Sequence, residues 1–291
     1  MTDNDHQPDR KPAWMKVPLP KGKKYIELRR IVNDHKLATI CQSGNCPNMA
    51  ECWSHGTATF MILGTLCTRT CTFCDVKPGK PLPPDPHEPM RIAEAVRLMQ
   101  LKHCVITSVT RDDLPDKGAA HWANTIAEVK KVNPAVTMEV LIPDMRDDLE
   151  ALQLIVDARP EIVSHNMETI SRLYPQVRPQ ANYDRSLRQI RQTALMGVVS
   201  KSGFMLGLGE TDEEVYELIN DLHKHDTEII TIGQYLPPSN EHFPLKEYVK
   251  PEKFELFKNY GLHQGIRQVV SAPLVRSSYS FADSSDNSVK D

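Results

Sequence analysis

The sequence predicts an α/β fold, a partial (βα)6 TIM-type barrel flanked by a cysteine-rich N-terminal extension and a short C-terminal segment. Three observations carry that expectation. Six short runs rich in β-branched residues alternate with helical apolar stripes, a rhythm that gives parallel strands joined by right-handed crossovers. No G-x-G-x-x-G follows the first run, which removes the usual argument for an open dinucleotide-binding sheet and favours a full or partial barrel. A C-x3-C-x2-C motif begins where the first run stops, at the strand end where barrels place their chemistry.

The expected strands are 58–66, 103–109, 136–142, 161–165, 198–206 and 228–235. Between them, Ile92, Ala95, Val96 and Met99 recur at helical spacing, as do Leu149, Leu152 and Val156. Leu187, Ile190 and Ala194 form a third stripe, and Val215, Leu218, Ile219 and Leu222 a fourth. The last begins with Thr211-Asp212-Glu213-Glu214, a capping box in which Thr and Glu satisfy each other's free amides. Ahead of the barrel, residues 1–24 carry four prolines and the basic run Lys21-Gly22-Lys23-Lys24, and read as a surface arm. A short helix with Ile26, Leu28, Ile31 and Val32 on its apolar face follows, and then a loop-like stretch from Cys41 to Cys52 containing Gly44 and Pro47. Residues 281–291 have nothing to bury and are expected to fray. The division is 1–55 for the extension, 56–265 for the barrel and 266–291 for the C-terminal segment.

Composition narrows the function. The 291 residues carry 35 Lys and Arg against 38 Asp and Glu, a formal net charge of −3 that gives no electrostatic reason to expect nucleic acid. No apolar run approaches the roughly 20 residues of a membrane span, and the polar N-terminus lacks a secretory apolar stretch, so a cytoplasmic protein is expected. Seven cysteines, an odd count in such a chain, argue against a disulfide framework. Six of them fall within residues 41–74 in two triplets. Ligation is the better default.

Cys67, Cys71 and Cys74 put three thiolates on one short loop, enough to bind three irons of a cube and leave the fourth open. An open coordination position is a reactive one. A structural zinc site would want a fourth nearby ligand, and no His or Cys follows Cys74 at suitable spacing. Cys41-x4-Cys46-x5-Cys52 is a second three-thiolate set, which a zinc knuckle could equally explain when taken alone. Cys104, inside the second run, reads as core.

The second triplet, with Phe73 before its last cysteine, resembles the signature of the radical S-adenosylmethionine superfamily. With the C-x4-C-x5-C ahead of it, the chain resembles the lipoyl synthase family. The likeness extends to ITSVTRDDL at 106–114, SHNMET at 164–169, VRPQANYDRSL at 177–187, GLGET at 207–211, GQYLPPS at 233–239 and PLVRSSY at 273–279. The resemblance implies two 4Fe-4S clusters and S-adenosylmethionine as cofactors. One cluster would sit on Cys67, Cys71 and Cys74, the other on Cys41, Cys46 and Cys52 with Ser278, or failing that Ser277, as fourth ligand. It also implies a reaction: a 5′-deoxyadenosyl radical removes hydrogen from carbons 6 and 8 of a protein-bound octanoyl-lysine, and sulfur from the auxiliary cluster replaces it.

Partners follow on the same basis. They are octanoylated lipoyl carrier domains (2-oxoacid dehydrogenase E2 subunits, glycine cleavage H protein), an electron donor such as flavodoxin or ferredoxin, and an iron–sulfur cluster carrier. Asn166, Glu168, Gly207 and Gly209 follow strands and would face S-adenosylmethionine, although each also suits a plain turn. Arg111 and Arg178 read as solvated arginines, His55, His103, His165 and His242 as non-ligands, and the Lys21–Lys24 run as a candidate carrier dock. Another sulfur-inserting radical enzyme, biotin-synthase-like or methylthiotransferase, is the alternative reading, and a zinc-binding interaction module a more distant one.

Overall fold

The computed structural model describes residues 10–16, 23–35, 37–44, 46, 48–54 and 59–278. The expected fraying tail at 281–291, His55, and Lys21 and Gly22 of the basic run lie outside the described residues.

The chain begins with α1 (Lys23–Asp34), β1 (Ala38–Thr39), α2 (Ile40–Ser43), α3 (Met49–Ser54) and β2 (Thr59–Ile62). The barrel continues through α4 (Glu88–Met99), β3 (His103–Ser108), α5 (Ala119–Val132), β4 (Thr137–Leu141), α6 (Leu149–Asp157) and β5 (Ile162–Ser164). It ends with α7 (Tyr174–Val177), α8 (Tyr183–Leu195), β6 (Val199–Leu206), α9 (Asp212–Lys224), β7 (Ile229–Gln234), α10 (Pro251–Gln264) and β8 (Gln268–Ser271). The eight strands form one sheet in sequence order. β1 pairs antiparallel with β2, and every later pair is parallel. Six βα units and a closing seventh parallel strand give the partial barrel that the alternation predicts.

Period-two alternation sorts the strands' side chains. Cys104, Ile106, Met138, Val140 and Val163 join an apolar cluster with residues of α4, α5 and α6. Phe204, Leu206, Ile230 and Ile232 do the same with α8, α9 and α10. The opposite face of β4, β5 and β6 holds Glu139, Ser164 and Lys201, where Lys201 Nζ lies 2.7 Å from Glu139 Oε1. Ser164 donates to the same oxygen at 3.0 Å, so the buried charge pair is hydrogen-bonded as such pairs must be. Cys104 is fully buried, and burial alone pushes its thiol up to about 12. It is core.

The extension is packed on this barrel. Leu28, Val32, Cys41 and Trp53 belong to the same apolar cluster as β2 and β3, whereas Ile26 of the expected apolar face is exposed. The Cys41–Cys52 stretch is not the loop that Gly44 and Pro47 suggest. Thr39 caps α2 by accepting from Gln42 N, and Cys52 N donates to Asn48 O within α3. β2 stops short of its expected end because Leu63 and Gly64 take positive φ of 69° and 106°, which turns the chain out of the sheet. The capping box of α9 forms as expected, with Glu214 N to Thr211 Oγ1 at 3.3 Å and Thr211 N to Glu214 Oε2 at 2.9 Å. Among the described residues no helix is long and apolar enough to cross a membrane.

Candidate metal centre and cofactor site

The loop carrying Cys67, Cys71 and Cys74 leaves β2 at the C-terminal edge of the sheet. Its backbone is tied down on every side. Cys67 N donates to Lys77 O, Gly79 N to Cys67 O, and Thr68 N to Thr110 O, which fastens the loop to the end of β3. Thr72 N donates to Val177 O and Phe243 N to Thr72 O, so the chain after β5 and the chain after β7 both grip it. Cys67 Sγ accepts from Arg69 N at 3.4 Å and Thr110 N at 3.3 Å, donors suited to a thiolate.

Arg69, inside the triplet, anchors the loop from beneath. It is 4% exposed and makes a bidentate pair with Asp112 at 2.8 and 3.0 Å, and its Nη2 reaches Asp144 Oδ1 at 2.6 Å. Arg185 of α8 takes the other oxygen of Asp144 at 2.8 Å. Burial works against the Asp144 carboxylate, yet Arg69 holds it well below the usual carboxylate range. Removing one member of such a buried network costs about 3–5 kcal/mol. Asp144 is presented by a strained turn, since Met145, Arg146 and Asp147 all have φ between 43° and 63°. That conformation costs roughly 1–2 kcal/mol for each non-glycine residue. Arg146 contributes in return a 2.9 Å bond to Asp112.

Cys71 and Cys74 both have raised thiol pKa values. Burial pushes Cys74 up to about 12, with Cys71, Cys67 and Glu168 adding to the effect after a partial offset from Val76. Cys71 is also raised by burial, against the pull of the Arg178 guanidinium. Buried thiols that resist ionisation gain most from metal, which binds the thiolate and releases the proton. Among the described residues no three such side chains converge on a point fit for one metal ion. Three thiols presented by one fastened loop can each bind a different iron of a cube. The donor set fits the cube.

Arg178 corrects the expectation of a solvated arginine. It is 7% exposed, and its Nη1 donates to Asn166 O at 2.7 Å and to the Tyr174 hydroxyl at 2.8 Å. Its Cζ lies 5.1 Å from the Tyr174 ring centre, a cation–π contact in a desolvated place. Arg111 is 1% exposed and pairs with Asp113 at 2.9 Å while donating to Leu63 O, so it too is structural and not solvated. Asn166 and Glu168 sit together after β5, joined by a 3.0 Å hydrogen bond. Glu168 has φ of 66° and extends the sheet by one bridge to Phe204 of β6. Its carboxyl is raised by burial in spite of Arg178. Gly203 beneath has no room for a side chain, because a Cβ would lie 2.4 Å from Thr231 Oγ1 and 3.1 Å from Asn166 Oδ1.

Gly207 and Gly209 close the end of β6. Gly207, at φ 97°, donates its amide to Glu210 Oε1 at 2.5 Å, and Leu208 N donates to Glu210 Oε2 at 2.9 Å. A Cβ on Gly207 would lie 2.3 Å from Gln234 Nε2. Gln234, which the sequence did not single out, staples this corner. It donates to Leu206 O and Glu247 O and accepts from Val249 N.

His165 is buried beside this site with both ring nitrogens occupied. A carbonyl only accepts, so Nδ1–H donates to Ile142 O at 2.8 Å, and Nε2 accepts from Ser186 Oγ at 3.0 Å. Burial, helped by Arg178, lowers its pKa to about 4 although Asp144 pulls the other way. Between about pH 6.5 and 4 the unfolded chain takes up a proton that the folded one refuses. Stability is therefore expected to fall with pH across that window, by about 3 kcal/mol in total from this residue. Denaturant titrations at a series of pH values check it: His165→Gln should flatten the slope, and an unchanged slope would contradict the assignment.

Of the first triplet, Cys41 lies on α2, Cys52 on α3 and Cys46 between the two. Cys41 is buried, and its thiol is raised by burial and by the neighbouring Cys46. Cys46 N donates to Cys41 O at 3.0 Å, and Cys46 O accepts from Met49 N at 3.2 Å. Asn48, between Cys46 and Cys52, sends Nδ2 to Leu274 O at 2.5 Å, 226 residues away in sequence. Ser277 and Ser278 occupy a half-buried turn just past that anchor.

Residues 61–222 match the family model described as the Radical SAM superfamily. Streptococcus suis SuiB bound to S-adenosylmethionine superposes with a TM-score of 0.59 at 10% identity, over 77% of this chain and 52% of that one, a likeness of fold alone. Fold and matched motif define a radical S-adenosylmethionine protein. Lipoyl synthase of Bacteroides fragilis (strain YCH46) is 57% identical over 270 residues, covering 93% of this chain and 94% of the relative. The mitochondrial lipoyl synthase of Nematostella vectensis is 51% identical over 281 residues, covering 96% and 97%. The chain belongs to the lipoyl synthase family. The biotin-synthase-like, methylthiotransferase and zinc-module alternatives fall away with that membership.

Proposed function

We propose that this chain inserts sulfur at carbons 6 and 8 of an octanoyl group amide-linked to a lysine of a carrier domain, with the two cysteine triplets as separate cluster sites. The family's cofactors are S-adenosylmethionine and 4Fe-4S clusters, and when bound they supply the one-electron cleavage and the sulfur. Cys67, Cys71 and Cys74 hold the first cluster with one iron open. Cys41, Cys46, Cys52 and Ser278 hold the second, and an alkoxide ligand suits a cluster that must open, because it is a poorer partner for iron than thiolate. Asn166, Glu168, Gly207 and Gly209 bind and orient S-adenosylmethionine. The Asn166–Glu168 pair offers polar groups, and the glycine corner lets a ligand approach the backbone. Arg69 and Arg178 keep the cysteine loop in register and water out.

One observation carries the two-site reading: the Asn48 to Leu274 hydrogen bond, which brings the first triplet and the serine tail together across the chain. The substrate is a lipoyl carrier protein. Within that class we favour 2-oxoacid dehydrogenase E2 subunits and the glycine cleavage H protein, with flavodoxin or ferredoxin as electron donor and an iron–sulfur carrier for repair. The same reading keeps the division at 1–55, 56–265 and 266–291 and the cytoplasmic location. Sulfur taken from the protein's own cluster limits the yield. Reconstituted protein without a rebuilding system should make about one dihydrolipoyl group per chain. Sustained multiple turnover under those conditions would contradict the sacrificial role.

A further inference from the structure

We propose that Asn48 is the positioning residue that docks the serine-bearing tail against the first cysteine triplet, an inference that rests on the ligand reading above. Two independent sets of contacts hold the tail. From the barrel side, Ala272 N donates to Ile232 O and Gln234 N to Pro273 O, continuing the β7–β8 pairing past its end. Gly233 permits that approach, because a Cβ there would lie 2.2 Å from Val275 O. From the extension side Asn48, fully buried, donates Nδ2 to Leu274 O at 2.5 Å.

The same residue acts on the triplet. Its backbone carbonyl accepts from Cys52 N at 2.9 Å, so one asparagine fixes the amide of a cysteine and, through its side chain, the chain leading to Ser278. A carbonyl at that depth needs a donor, and an amide supplies one without charge. Asn48→Ala keeps the backbone bond and loses the side-chain bond to the tail. Aspartate keeps the size and sets an acceptor against an acceptor.

The test compares Asn48→Ala and Asn48→Asp with the wild-type protein. A buried hydrogen bond of ordinary net strength corresponds to about a tenfold change in the docking equilibrium, and so in the undocked fraction. In both variants the amides of 274–278 should exchange hydrogen about tenfold faster, while those of β7 keep their protection. After reconstitution, the ratio of dihydrolipoyl product to 5′-deoxyadenosine should fall, by up to about tenfold where the tail is docked only part of the time, with KM for S-adenosylmethionine within twofold of the wild type. Wild-type exchange in the tail, or an unaltered product ratio, overturns the proposal. Loss of protection throughout both variants, β7 included, overturns it as well, since Asn48 would then serve the whole fold. Ser278→Ala run in parallel separates the two failures. If Ser278→Ala makes product at the wild-type ratio, the ligand reading fails. If Ser278→Ala is unproductive while both Asn48 variants are fully productive, only the proposal fails.

Discussion

Cys71→Ala is expected to lose 5′-deoxyadenosine formation altogether and about four irons with four sulfides per chain. The expectation follows from how little slack the loop has. Its neighbours are pinned to Thr110 at the end of β3, to Val177 and to Phe243, so no other side chain can swing in to replace the missing thiolate. Cys71 also lies under the buried Arg178, whose charge favours the thiolate there against the cost of burial. The two remaining thiolates would not hold the cube, and S-adenosylmethionine would then have no open iron to bind. Anaerobic product analysis together with iron and sulfide determination checks the outcome. Substantial cleavage by Cys71→Ala would remove this loop from the reaction. The fold should survive, because Arg69 and its two aspartates hold the loop independently of the metal.

Cys46→Ala is expected to give the opposite pattern: cleavage of S-adenosylmethionine continues while the dihydrolipoyl product disappears. Cys41 lies on α2 and Cys52 on α3, with Cys46 between them, and Cys41 and Trp53 pack in the apolar cluster of β2 and β3. The two triplets occupy separate stretches of chain, 41–52 and 67–74, and one site is expected to empty while the other stays intact. The retained iron should be about half, four per chain. Loss of cleavage in proportion to product would mean that the triplets form one functional unit.

Much of this was legible in the sequence, for identifiable reasons. The strands and the four helical stripes were readable because burial imposes a period, and Thr211–Glu214 because capping is local. Cys104 was readable as core because Val105 and Ile106 continue an apolar strand from it. β1 and β8 were not read. β1 has two residues and β8 four, and both gain their pairing from neighbours far away in sequence. α2 and α3 were missed because Gly44 and Pro47 look like loop breakers, although Gly44 only caps the end of α2 after Ser43. Arg111 and Arg178 were misjudged as solvated. Whether an arginine is buried depends on whether a carboxylate, a carbonyl or a ring meets it, as Asp113, Asn166 O and Tyr174 do here. Arg69 and Asn48 stood inside quoted motifs with no signal of their own, since their partners at Asp112, Asp144 and Leu274 come together only in the fold.

Anaerobic iron and acid-labile sulfide determination on the reconstituted wild-type chain tests the central claim most directly. Two cubes held by six thiolates predict about eight irons and eight sulfides per chain. One cube's complement, or zinc in stoichiometric amount in place of iron, would contradict it.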